Sequence, residues 1–279
     1  METSEAAPAG PLAGAVYARP WRPVIAVLRV CSRTGLLFVT LLVVYGGALD
    51  LTPLALFRAV AVVAVLPGLA AWLLEQAFAA YLVRDGAMLV VGGRGRRLEI
   101  PLDAVAAVVP WAVPLPRPGV SLCLRSGRRI QVALNDPARL LAVLGRDDDR
   151  PVVRWAAARA RATAEAWWVP VARYPLFALL PAAILFRTHQ WIAYGGTFGE
   201  YYLLGLRAYL GTFAIYWATV TIYLVLWANL WRLAAEAVTL IGAHAAPRTI
   251  ASSRRVVERA HGLLYYGGAL VLLVVRLLP

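Results

Sequence analysis

Tyr81-Leu82-Val83-Arg84-Asp85-Gly86-Ala87-Met88-Leu89-Val90-Val91-Gly92-Gly93-Arg94-Gly95-Arg96-Arg97-Leu98-Glu99-Ile100 is the stretch on which the reading of this chain turns. It opens the segment Tyr81–Gly145, the one part of the sequence that does not look like membrane. Asp85-Gly86 is a turn signal between two β-rich runs, Ala79–Val83 and Met88–Val91. Gly92-Gly93-Arg94-Gly95 breaks the second run, and Arg96–Ile100 alternates charged with apolar side chains, the pattern of a strand with one wet face. A further strand is expected within Ala104–Val113, ended by the proline-rich loop Pro114–Gly119. Val120–Arg125 and Arg128–Leu134 flank Ser126-Gly127 as a hairpin. Asn135-Asp136-Pro137 then starts a helix that shows Leu140, Leu141 and Leu144 on one face and closes at Gly145.

Outward from that segment the chain is apolar. Of 279 residues 61% are hydrophobic and only 15% charged, below the ~25% of an ordinary soluble domain. Mean hydropathy is +0.67. This describes an integral membrane protein with one modest soluble part. The 28 basic residues are all arginine, and the net charge is +13. In a membrane protein such an excess collects in cytoplasmic loops facing anionic headgroups, so nucleic acid is not called for as a partner.

Strands in hairpin order followed by one helix resemble the bacterial pleckstrin-homology-like domain of prokaryotic membrane proteins. The residues that carry the resemblance are Tyr81–Gly86, Ile100-Pro101-Leu102-Asp103, Gly127-Arg128-Arg129-Ile130 and the Asp136-Pro137 helix start. The resemblance implies a small antiparallel β-domain that docks a protein partner or a lipid headgroup. In eukaryotic relatives of that fold a basic loop between early strands reads inositol lipids, which implies a lipid contact at Arg94, Arg96 and Arg97.

Five regions follow. Residues 1–33 read as unstructured, with an amphipathic stretch Val24–Arg33 at the membrane surface. Residues 34–78 form a transmembrane hairpin, with Thr34–Leu49 and Leu54–Leu74 as spans and a kink at Pro67-Gly68. Residues 79–146 are the β-domain, and 147–166 a linker helix. Residues 167–279 hold three spans: Val169–Ile192, Ala208–Trp231 and Ala260–Val275, the first two joined by an aromatic interfacial loop, Thr188–Leu206. The expected fold is therefore an α+β membrane protein of about five transmembrane helices. The loops Asp50–Pro53 and Thr188–Leu206 lie opposite most of the arginines. The positive-inside rule then places the amino terminus and the β-domain in the cytoplasm of a bacterial inner membrane, and the carboxyl terminus outside.

No catalytic constellation is evident, and neither a cofactor nor a metal is expected. Asp147-Asp148-Asp149 are consecutive, so their side chains do not converge on an ion; a linker or helix cap is the simpler account. Gly92–Gly95 lacks the Lys-Ser/Thr ending that cradles a nucleotide phosphate. Candidate lipid- or partner-binding residues are Arg94, Arg96, Arg97, Arg125, Arg128 and Arg129. Near the far membrane face stand Asp50, Arg58, Arg187, His189, Glu200 and Arg207, of which Arg58, Arg187 and Arg207 are the charged candidates; snorkelling is their simpler explanation. The expectation is a non-enzymatic scaffold or assembly factor that contacts membrane lipids and a membrane-protein partner. The alternatives are a transport-related subunit, motivated by the broken spans, and a lipid-acting enzyme drawing on Glu75, Glu236, Glu258 and His261.

Overall fold

A computed structural model describes residues 10–45, 52–162, 168–246 and 249–277. Its elements in chain order are β1 (Leu12–Tyr17), α1 (Trp21–Tyr45), α2 (Pro53–Val60), a π-helical turn (Ala61–Val65), α3 (Leu66–Ala77), β2 (Ala79–Asp85), β3 (Met88–Gly93), β4 (Arg96–Pro101), a 3-10 turn (Leu102–Ala104), β5 (Val105–Pro110), β6 (Gly119–Leu124), β7 (Arg129–Leu134), α4 (Pro137–Val143), α5 (Pro151–Ala162), α6 (Trp168–Tyr194), α7 (Gly199–Ala245) and α8 (Ile250–Leu277). The architecture is α+β: one antiparallel sheet and long apolar helices. Two compact units divide the chain. The first comprises 1–32, 65–163 and 237–256; the second comprises 33–64, 164–236 and 257–279.

In the first unit seven strands form a sheet in the order β4-β3-β2-β1-β7-β6-β5, every neighbouring pair antiparallel. Glycines with positive φ make the turns that the sequence signals: Gly86 (φ 55°), Gly95 (φ 69°) and Gly127 (φ 79°). Asp136 caps α4 by accepting from the Ala138 N–H at 3.1 Å, and Pro137 sits in the first turn, where a missing N–H costs nothing. One face of the sheet buries Leu12, Leu82, Leu89, Ile100, Leu122 and Val132 under Leu140 and Leu141 of α4 and Val153 of α5. The opposite face, at β1 and β7, packs Ala15, Tyr17 and Ala133 with Ile25 of α1 and Ala71 of α3.

The amino-terminal stretch needs correction. Leu12–Tyr17 is a central strand, bonded to β2 on one side and β7 on the other. Its proline-rich surroundings hide it, yet its side chains alternate between the two buried faces: Leu12 and Val16 join the α4 side, Ala15 and Tyr17 the other. Gly14 is required there, because a Cβ would lie 2.6 Å from the Ala133 carbonyl oxygen. The sheet is thus assembled from two separated segments, with α1 to α3 leaving the chain between β1 and β2. Nor is Val24–Arg33 a separate amphipathic piece; it is continuous with the apolar run in α1, since nothing between Pro23 and Tyr45 breaks a helix. Residues 1–9 of the expected unstructured region lie outside the described residues.

Among the described residues four helices are long and apolar enough to cross a membrane: Trp21–Val44, Pro53–Ala77, Tyr174–Tyr194 and Gly199–Ala245. The second carries the expected irregularity just before Pro67, as the π-helical turn Ala61–Val65. Proline has no N–H to offer the carbonyl four residues back, here that of Val63. Gly35 of α1 comes so close to that carbonyl that a Cβ would lie 2.3 Å from its oxygen. The expected far loop Thr188–Leu206 is shorter than the aromatic content suggests: α6 runs to Tyr194 and α7 begins at Gly199, interrupted at Gly205 (φ 85°, ψ 173°). α7 also continues without interruption past Trp231 to Ala245. α8 covers the segment expected as the last span.

Candidate functional site

Strand register brings the basic turns of the sheet to one end. Tyr17 at the end of β1 faces Gln131 of β7, Ala15 faces Ala79 at the start of β2, and Ala80 faces Gly93 at the end of β3. The exit of β1, the entry of β2, the β3–β4 turn and the start of β7 therefore adjoin. Between them opens a cleft of about 1220 Å³. Arg19, Arg94, Arg97, Arg128 and Arg129 line it, over a floor that includes Tyr17, Phe78, Val91 and Ile130.

Four of the six residues singled out from the sequence, Arg94, Arg97, Arg128 and Arg129, meet in this cleft. Each is exposed. The side chain of Arg96 lies outside the described set, although its backbone pairs with Gly93. Arg125 is exposed on the β6–β7 turn and is not part of the lining. Arg19 was missed. It follows β1 directly, and its place became visible only with that strand; the Val16-Tyr17 pair of β-formers was the available signal. Among the described residues the cleft arginines have one ion pair, Arg97 to Glu99 at 2.9 Å, and it is well exposed. Five guanidinium groups around a concave surface, with one carboxylate among them, leave an excess of positive charge and many N–H donors for an anion.

A buried charge centre lies behind the same strand. Glu75 of α3 is 4% exposed. Arg29 of α1 holds it with a fork, Nε to Oε1 at 3.1 Å and an Nη to Oε2 at 2.7 Å, and Arg117 of the β5–β6 loop adds a third contact at 2.7 Å. Two arginines that are remote in sequence neutralise Glu75. Tyr17, from the floor of the cleft, is packed edge-on to Phe78 at 5.9 Å. Burial pushes its phenol up to about 12; the Glu75 carboxylate adds to the rise, while Arg117 and Arg29 oppose it. Arg22 stacks over Trp111 at 3.8 Å and donates to the carbonyls of Val113 and Leu115, holding the proline-rich loop. Cleft and charge centre thus adjoin at Tyr17 of β1 and at the end of α3.

The acidic triplet acts as linker and cap. Asp148 accepts from the Arg150 backbone N–H at 2.9 Å and from its guanidinium, and these bonds hold its carboxyl below the usual carboxylate range. Asp149 pairs with Arg154 at 2.8 Å. Among the described residues no group of three His, Cys, Asp or Glu is placed to hold a metal ion.

In the second unit Arg232 pairs with Glu236 at 3.1 Å and Glu258 at 3.0 Å. Arg33 donates to Asn229, which is buried within α7, at 3.0 Å. At the start of α7 Glu200 is buried, accepting from Gln190 at 2.5 Å and from Thr212 at 2.6 Å. These bonds tie the end of α6 to the start of α7. His189 is in ring contact with Tyr194 and Tyr216 instead. Arg58, Arg187 and Arg207 are exposed on three different helices, with no ion pair among the described residues. Asp50, proposed with them, lies outside the described residues.

Comparison with family models, with curated proteins and with solved structures finds no match to this chain.

Proposed function

We propose that this chain is a non-enzymatic scaffold or assembly factor of a bacterial cytoplasmic membrane, whose pleckstrin-homology-like β-domain docks phosphate-bearing anionic headgroups through the arginine cleft. One observation carries the reading: five arginines from three separate points of the chain line one open cleft, and one of them has a carboxylate partner among the described residues. Arginine offers phosphate a planar fork of donors, and a cluster near an anionic leaflet gains roughly 1 kcal/mol per residue from its field. The sheet order, the single capping helix after β7 and the position of the cleft at the turns support the likeness to that domain. Four apolar helices support a membrane protein; in this reading α8 makes a fifth crossing, and the arginine distribution puts the β-domain and amino terminus inside and the carboxyl terminus outside. A protein partner would use the same arginines or an exposed sheet edge, β4 or β5.

The full chain in nanodiscs of neutral lipid, immobilised on a surface, tests this. Vesicles containing phosphatidylglycerol should be retained, vesicles of phosphatidylcholine alone should not, and raised salt should weaken retention. The combined substitution of Arg94, Arg97, Arg128 and Arg129 by Gln should abolish it. Equal retention of both vesicle types, or retention unchanged in that variant, defeats the proposal.

A further inference from the structure

A groove of about 340 Å³ runs along the spanning helices of the second unit. Thr40 and Val44 of α1, Pro181 of α6 and Val220 and Leu224 of α7 form its walls. All lie within helices apolar and long enough to cross a membrane, so the medium against the groove is hydrocarbon. Apart from two phenols, its donor hydrogens are used within the protein. Thr40 donates to the Leu36 carbonyl at 2.7 Å and Thr219 to the Ile215 carbonyl at 2.7 Å. The Trp227 indole N–H donates to the Leu264 carbonyl at 3.1 Å, and Pro181 has no N–H. Only the phenols of Tyr216 and Tyr223 remain along the lining.

A polar solute or a file of water would therefore find almost nothing to bond to. An empty groove of this size forfeits the dispersion contacts of its whole lining. At about 30 Å³ per water-sized group it has room for roughly ten methylenes, comparable to much of one lipid tail. We infer that the groove is a binding site for one acyl chain of a membrane lipid, distinct from the shell of lipid that surrounds any spanning helix. The occupant is hydrocarbon because the lining is mostly apolar, with the two phenols as its remaining donors. The Thr40 and Thr219 hydroxyls, which could have lined a permeation path, are spent on their own helices.

Native mass spectrometry of the full chain, released from membranes in mild detergent, reads the site directly. The wild type should keep one phospholipid adduct at a detergent concentration that removes all others. Val220→Phe, which fills the groove, should lose that adduct. Val44→Trp should lose it too, and since Val44 is 60% exposed this change leaves packing between the helices intact. If Val220→Phe fails to fold, Val44→Trp alone decides the matter. A wild type without a retained lipid, an adduct that survives both substitutions, or retention only of a second copy of the chain overturns the inference.

Discussion

Glu75 is the residue on which the first unit bears most. Its carboxylate is desolvated, but three N–H contacts from Arg29 and Arg117 occupy both oxygens. Removing one partner of such a group leaves the others uncompensated. Glu75→Gln should destabilise the first unit by an amount at the lower end of the about 3–5 kcal/mol typical of a broken buried pair, because Arg29 and Arg117, at 29% and 40% side-chain exposure, regain hydration. Thermal melts in detergent followed by Trp emission would measure this; an unchanged midpoint contradicts it. Asp148 gives a weaker, pH-dependent case. Its carboxyl is held below the usual range by Arg150, so its stabilisation is present above the ordinary carboxylate pKa and is lost as the pH falls through the lowered one. The exposed pair is worth about 1 kcal/mol or less. Asp148→Asn should thus lower the melting temperature slightly at neutral pH, and the difference should close in acid. A gap that widens in acid would show that the hydrogen bonds do not favour the charged form.

At the scale of elements, β1 is the strand on which the sheet and the cleft both depend. It joins the β2 side of the sheet to the β7 side, and its exit places Arg19 and Tyr17 in the cleft. Gly14→Val drives a side chain into the Ala133 carbonyl and against Leu134. Overpacking of this kind costs about 1–3 kcal/mol, and here the obstacle is backbone, which yields least. The variant should lose protease resistance in the β-domain and weaken vesicle retention together; loss of neither would remove β1 from its central role. The length of α7 bears on the charges near its end. Beyond the break at Gly205 it runs to Ala245, about 60 Å at 1.5 Å per residue, against a hydrocarbon thickness of ~30 Å. Arg232 and Glu236 therefore fall past one bilayer core from Gly205, where an ion pair with Glu258 meets water or headgroups at low cost.

For the whole molecule the prediction is a topology. With the native Cys31 and Cys123 replaced, Gly196→Cys in the α6–α7 connection should react with an impermeant maleimide added to intact cells. Ser126→Cys, on the β6–β7 turn, should react only after permeabilisation. The reverse pattern would put the arginine cleft on the wrong side of the membrane for the proposed role. Much of the fold was readable in advance. Asp85-Gly86, Ser126-Gly127 and Asp136-Pro137 are local signals, satisfied within a few residues, and the apolar runs report a solvent rather than a partner. That is why the strands from Ala79 to Leu134, the helix after them and the membrane character follow from the chain alone. Three features did not. Leu12–Tyr17 lacks the flanking turn pattern of a strand, and becomes one only because β2 and β7 present unpaired edges on both sides. Arg29, Glu75 and Arg117 are ordinary charges until folding buries one carboxylate between two guanidinium groups. The grouping of Arg19 with Arg94, Arg97, Arg128 and Arg129 depends on strand register. Local backbone preference and hydropathy act between near neighbours and are written along the chain, whereas long-range strand pairing, desolvation and the convergence of charges exist only once distant segments have met.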